Sequence, residues 1–133
     1  MRLIRAVDPW LWPPLVMAVI FVLSAQPDLS TGLGLADLVA RKIAHAAVYA
    51  LLCACWWRVA VALGVPLPRA VALALLLTIA YAISDEWHQS FVAGRSGSVG
   101  DVVIDAAGAS AAALGRLKLG MRRGAPAAEP RTR

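Results

Sequence analysis

Four apolar runs joined by short polar connectors make up most of this chain, and they restrict it to helices packed in an apolar medium. The runs cover residues 9–27, 43–57, 70–84 and 102–114. The second resumes after Arg58 and continues to Val65, and Asp105 interrupts the fourth. Their charge-free lengths fall at or just below the roughly 17–25 residues of a spanning helix. Arg58 can snorkel, and polar flanks can extend each helix into the headgroup zone, which brings the lengths into range. The chain has 133 residues, is 60% hydrophobic and has a mean hydropathy of +0.70. Soluble domains are roughly 45–50% apolar, and a small domain in water buries too little of its surface to hide this excess. The expected architecture is all-α: a polytopic membrane protein, with a bundle of four transmembrane helices in residues 1–119. A soluble helical bundle is the competing reading. Residues 120–133, rich in Ala, Pro and Arg, are expected to form a disordered cytoplasmic tail.

Local signals refine this outline. Asp8 and Asp37 are candidate N-caps for the first and second helices, and Val65-Pro66-Leu67-Pro68 separates the second run from the third. Pro13 and Pro14 would kink a helix begun at Pro9. The N-terminus also has the features of a signal peptide: Arg2 and Arg5, an apolar stretch, then Leu23-Ser24-Ala25. Cleavage there would leave three spans. Cys53 and Cys55 lie inside an apolar run without metal spacing and read as small buried hydrophobes. The five tryptophans fall near expected helix ends, as in an aromatic belt.

The net charge of +5 is not arranged for nucleic acid, since no basic stripe or set of stacking aromatics accompanies it. It follows topology instead. The N-terminus, the connector near Arg69 and the C-terminal tail carry ten cations against two acids. The opposite side carries Arg41, Lys42 and Arg95 against six acids. Cytoplasmic loops hold the Lys/Arg excess, so both termini are expected in the cytoplasm and the polar residues outside.

Those polar residues are concentrated. Ser24 and Gln26 close the first run, and Lys42, His45 and Tyr49 open the second. Asp85, Glu86, His88 and Gln89 close the third, and Asp101 and Asp105 open the fourth. Lys42 with His45, His45 with Tyr49, Asp85 with His88 and Gln89, and Asp101 with Asp105 are spaced to share helix stripes. Each also has a plainer reading. Asp101 completes Ser98-x-x-Asp101, a capping box. His45 could be a hydrogen-bonded core histidine with Tyr49 as partner, and Lys42 a snorkelling side chain. Glu86 and His88 could be solvated at the interface. Asp105 lies a turn deeper, where an unpaired carboxylate is costly, so a pairing with Lys42 or Arg95 is expected. Arg95 lies in Gly94-Arg95-Ser96-Gly97-Ser98. Glycines there would let backbone N–H groups turn toward an anion, and a guanidinium forks onto phosphate or carboxylate. An ordinary glycine turn with Arg95 paired to Asp101 is the alternative. Gly108, Ala112 and Gly115 supply small residues for close packing or for a homo-oligomer.

Lys42-x-x-His45-x-x-x-Tyr49, followed by Tyr81-Ala-x-Ser84-Asp85-Glu86-x-His88-Gln89-x-Phe91-Val92-x-Gly94-Arg95-x-Gly97-Ser98-x-x-Asp101-Val102 and Gly108, resembles the VanZ-like family of bacterial membrane proteins. Ser24-Ala-Gln-Pro27 fits the same pattern, and the resemblance covers about residues 20–115. Arg41 stands where an acid often precedes the Lys, and Asp105 where the family often has Asn. The resemblance implies a small multi-helix protein of the bacterial cytoplasmic membrane. It also implies a link to low-level resistance to the glycopeptide teicoplanin, through the founding member, and it supplies no reaction.

Four functions remain open on the sequence. In the first, the protein binds an anionic lipid-linked or envelope molecule at its outer face, with membrane lipids as its partners. The binding residues would come from Lys42, His45, Tyr49, Gln89, Arg95, Ser98, Asp101 and Asp105. In the second it is a hydrolase or transferase on a lipid, with Glu86 or Asp85 as general base and His88 or His45 as general acid. Ser84 is a weak nucleophile candidate. The third is a divalent-metal site from His45, His88, Asp85 and Asp101, which lacks a spacing signature; no metal or cofactor is assigned. The fourth is a structural subunit whose polar cluster locks the helices.

Overall fold

The computed structural model describes residues 2–26, 34–95 and 97–124, and all four elements among them are α-helices: α1 Arg2–Ser24, α2 Leu35–Ala62, α3 Leu67–Gln89 and α4 Val99–Gly124. Each helix extends beyond its charge-free core at one end or both. Ala, Leu and the polar flanks are good helix formers, so nothing stops propagation at the first charge. α1 starts at Arg2, which places Asp8 in the helix interior and removes its expected capping role. Asp37 is not the N-cap of α2 either. That position is Gly34, and Asp37 is buried in the first turn, 3.2 Å from Arg41. α4 continues to Gly124, past the expected start of the tail, and residues 125–133 lie outside the described residues.

The stop between α2 and α3 follows from two residue types. Gly64 adopts φ +80, its N–H donates to Val61 O, and the Val65 N–H donates to Ala60 O. This is the left-handed closure that caps exposed helix carbonyls. Pro66 then serves as N-cap and Pro68 falls in the first turn of α3, where a missing N–H is harmless. In α1, Pro9, Pro13 and Pro14 lie inside the helix, and Pro13 is fully buried.

α2 is the centre of the bundle and packs most extensively on α4 and then α3. Small residues permit this. Ala70, Ala74, Thr78 and Ala82 form the buried stripe of α3, and Asp105, Ala109 and Ala113 that of α4. A Cβ at Gly108 would overlap the Ala46 carbonyl of α2, so this glycine sets the α2–α4 approach within the chain. Gly115 faces open space. Two apolar clusters fill the interior. Val16, Ile20, Tyr49, Leu52 and Ala82 belong to one, and Cys53, Val71, Ala74, Ala109 and Ala113 to the other. Both cysteines are buried free thiols. Trp10, Trp12 and Trp87 are exposed, whereas Trp56 and Trp57 are half-buried and pack against the core.

Polarity is inverted relative to a water-soluble protein. Leu35, Ile43, Leu76, Trp87 and Phe91 are among many large apolar side chains on the outside, while Asp85, Glu86, Gln89 and Asp105 are buried. Water penalises such an exterior and hydrocarbon does not.

Candidate polar site at the end of the bundle

The stripe of α3 that begins with Ala70 carries its buried face forward to Asp85, Glu86 and Gln89. The same rotation that hides small residues in the core therefore delivers two carboxylates and an amide inward at the helix end. The first polar turns of α2 and α4 and the last turn of α1 meet them there.

Asp85 organises the first half of the site. Its Oδ2 accepts from Ser24 Oγ of α1 at 2.8 Å, Tyr49 OH of α2 at 3.1 Å and Gln89 Nε2 at 3.0 Å. Arg95 Nη1 donates to Gln89 Oε1 at 3.1 Å, extending the chain of bonds into the α3–α4 loop. Tyr49 is thus a partner of Asp85. It lies beside His45 with ring centroids 6.5 Å apart, in a stacked arrangement. Ser24, outside the expected set of binding residues, is a full member of this network. Its position with Gln26 at the polar end of the first run, and its place in Ser24-Ala-Gln-Pro27, are the signals that point to it.

The second half lies between α2, α3 and α4. His45 Nδ1 is 3.3 Å from Asp105 Oδ1, within ion-pair range but without hydrogen-bond alignment. Asp105 pairs with His45, not with the expected Lys42 or Arg95. Lys42 Nζ instead meets Asp101 Oδ1 at 2.5 Å, and Arg95 is bonded to Gln89. Glu86, buried and not solvated, accepts from the Ser98 N–H at 2.8 Å through Oε2. Ser98 Oγ accepts from the Gly100 N–H at 3.1 Å. The reciprocal capping box of Ser98 and Asp101 is therefore split: the serine caps, Asp101 engages Lys42, and Glu86 takes the N–H an acid at that position would bind.

His88 stands apart. Its ring stacks on Phe21 of α1 with centroids 4.5 Å apart. Residues two apart on a helix do not face each other, so His88 and Glu86 point to different neighbours and do not form the expected acid–base pair. Buried atoms without a hydrogen-bond partner include Asp85 Oδ1, Glu86 Oε1, His88 Nδ1 and both Asp105 oxygens. Such atoms are costly unless something binds them.

A cavity of about 240 Å³ opens beside the site between α1 and α2. Ile20, Leu23, Ala44 and Val48 make its walls apolar. Ser24, His45 and Tyr49 connect it to the polar network, and Arg41 and Arg95 add two guanidinium groups. The lining suits an amphiphile with an apolar body and an anionic group.

Among the described residues, two helices, Leu35–Ala62 and Leu67–Gln89, are long and apolar enough to cross a membrane. No curated protein and no solved structure matches the chain. The sequence family described as VanZ/LLP1 matches residues 9–117, and the chain belongs to that family.

Proposed function

We propose that this VanZ-family chain is a multi-pass protein of the bacterial cytoplasmic membrane, with four spans and both termini inside. It binds an anionic lipid-linked or cell-envelope molecule at its outer face and thereby alters teicoplanin sensitivity. The observation that carries this reading is the apolar cavity bearing Arg41 and Arg95. Acyl or prenyl chains would occupy the walls, and the guanidinium groups would take phosphate or carboxylate, for which their planar fork is suited. The charge asymmetry supports the orientation, and the apolar exterior supports the membrane setting. Mass spectrometry of lipid co-purified with the protein tests the proposal. An anionic lipid should be enriched with the wild type and lost with Arg95→Lys at wild-type yield. Unchanged lipid content and teicoplanin tolerance in Arg95→Ala, at normal expression, would rule it out.

A second reading, a membrane-embedded hydrolase or transferase, is favoured by one observation. His45, which lines the cavity, approaches Glu86 and Asp105, whose carboxylates carry unpartnered buried oxygens. Imidazole and carboxylate are the minimum for acid–base work, with Glu86 and His45 as the pair. Glu86→Gln should then retain lipid and lose turnover of it.

A further inference from the structure

His45 of α2, Glu86 of α3 and Asp105 of α4 each offer one ligand atom, and these three atoms lie within 4.8 Å of one another. Asp105 is 0% exposed and Glu86 5% exposed. Both oxygens of Asp105 and one of Glu86 have no hydrogen-bond partner. Two ionised carboxylates outweigh one imidazole even when it is protonated, so these groups must take up either a proton or a cation. Lys42 pairs with Asp101 and Arg41 with Asp37, while Arg95 donates to the neutral Gln89, so among the described residues no Lys or Arg forms an ion pair with Glu86 or Asp105. A buried excess charge of this kind is costly without a counter-ion.

We infer that His45, Glu86 and Asp105 bind one divalent transition-metal ion. A doubly charged cation balances the two carboxylates with a neutral imidazole and occupies the orphaned lone pairs. One nitrogen and two oxygens suit Zn²⁺ or Mn²⁺, whereas an imidazole ligand disfavours Mg²⁺ and Ca²⁺. Ligands held about 2.0–2.2 Å from a metal lie roughly 3–3.5 Å apart, so modest side-chain movement closes the set. The Ser98 N–H on Glu86 Oε2 is the kind of outer contact that orients a carboxylate ligand. The three ligands come from three helices, so the ion would also tie α2, α3 and α4 together. This inference does not depend on the lipid ligand proposed above.

The test uses the full chain, purified in detergent without a polyhistidine tag and stripped with a chelator. Zn²⁺, Mn²⁺ and Mg²⁺ are each added at micromolar concentration, and bound metal is measured after desalting. The wild type should retain about one equivalent of Zn²⁺ or Mn²⁺ and little Mg²⁺. His45→Gln and Asp105→Asn should each weaken binding by at least about tenfold, while Asp37→Asn, outside the triad, should not. Metal should also raise the melting temperature of the wild type and not that of the variants. His45 is only partly buried, so its variant keeps the test valid if Asp105→Asn fails to fold. Less than about a tenth of an equivalent of every metal on the wild type overturns the inference. So does wild-type affinity in His45→Gln, or Mg²⁺ binding as tight as Zn²⁺. The lipid proposal is read separately, on the wild type and the Arg95 variants, so the two proposals can fail independently.

Discussion

Ser24 Oγ donates to Asp85 Oδ2 at 2.8 Å, joining the ends of α1 and α3 across 61 positions of sequence. This bond is one of several links between these helices, beside the Phe21–His88 ring stack and the Tyr81 hydroxyl donating to Met17 O at 2.7 Å. Interhelical hydrogen bonds in apolar surroundings contribute about 0.5–1.5 kcal/mol. Ser24→Ala should therefore lower stability in detergent by about that amount. Asp85→Ala should cost at least about 2 kcal/mol, because it strips an acceptor from Ser24, Tyr49 and Gln89 together. Equal losses in the two variants, read from thermal unfolding, would show that Asp85 does not organise the network.

Gly108 gives a sharper steric contrast. An added methyl group would meet the Ala46 backbone, which cannot rotate away, whereas Gly115 faces open space. Gly108→Ala should destabilise by about 1–3 kcal/mol through forced separation of α2 and α4. Gly115→Ala should be neutral or slightly stabilising, since alanine is the better helix former. The comparison is made by folded yield and melting temperature. A tolerant Gly108 would mean the helices cross less closely than described.

Lys42 and Asp101 are partly exposed, at 40% and 32% of their side chains. Solvent screening limits such a pair to about 0–1 kcal/mol. Lys42→Met should accordingly leave the protein folded with only a small fall in melting temperature. The charge exchange Lys42→Asp with Asp101→Lys should recover part of what Lys42→Asp loses. Absence of any recovery in the double variant would argue that the two side chains act separately.

The orientation makes a prediction that needs no ligand. The proposed topology, with both termini cytoplasmic, puts Ala93 of the α3–α4 loop outside. Ala93→Cys, in a background carrying Cys53→Ala and Cys55→Ala, should react with an impermeant thiol reagent on intact cells. Reaction only after the membrane is opened would invert the topology.

The apolar runs alone determine that the chain is helical and where the cores of its four helices lie, though not their ends, because hydrophobic length and the Gly64–Pro68 connector are local properties. Composition similarly dictates that the exterior is apolar. The motifs around Lys42, Asp85, Arg95 and Asp101 gather the polar residues at one end, since each sits at a terminus of its run. Partner choice is different. Whether Asp105 meets His45, Lys42 or Arg95 depends on how far each helix is rotated, and one residue turns a helical side chain by about 100°. That rotation is set by contacts distant in sequence: the alanine stripe of α3, and Gly108 against Ala46. Tertiary packing alone therefore turned Glu86 inward and His88 toward Phe21, moved Tyr49 onto Asp85, and brought His45, Glu86 and Asp105 together from three helices whose spacing in sequence carries no trace of the meeting.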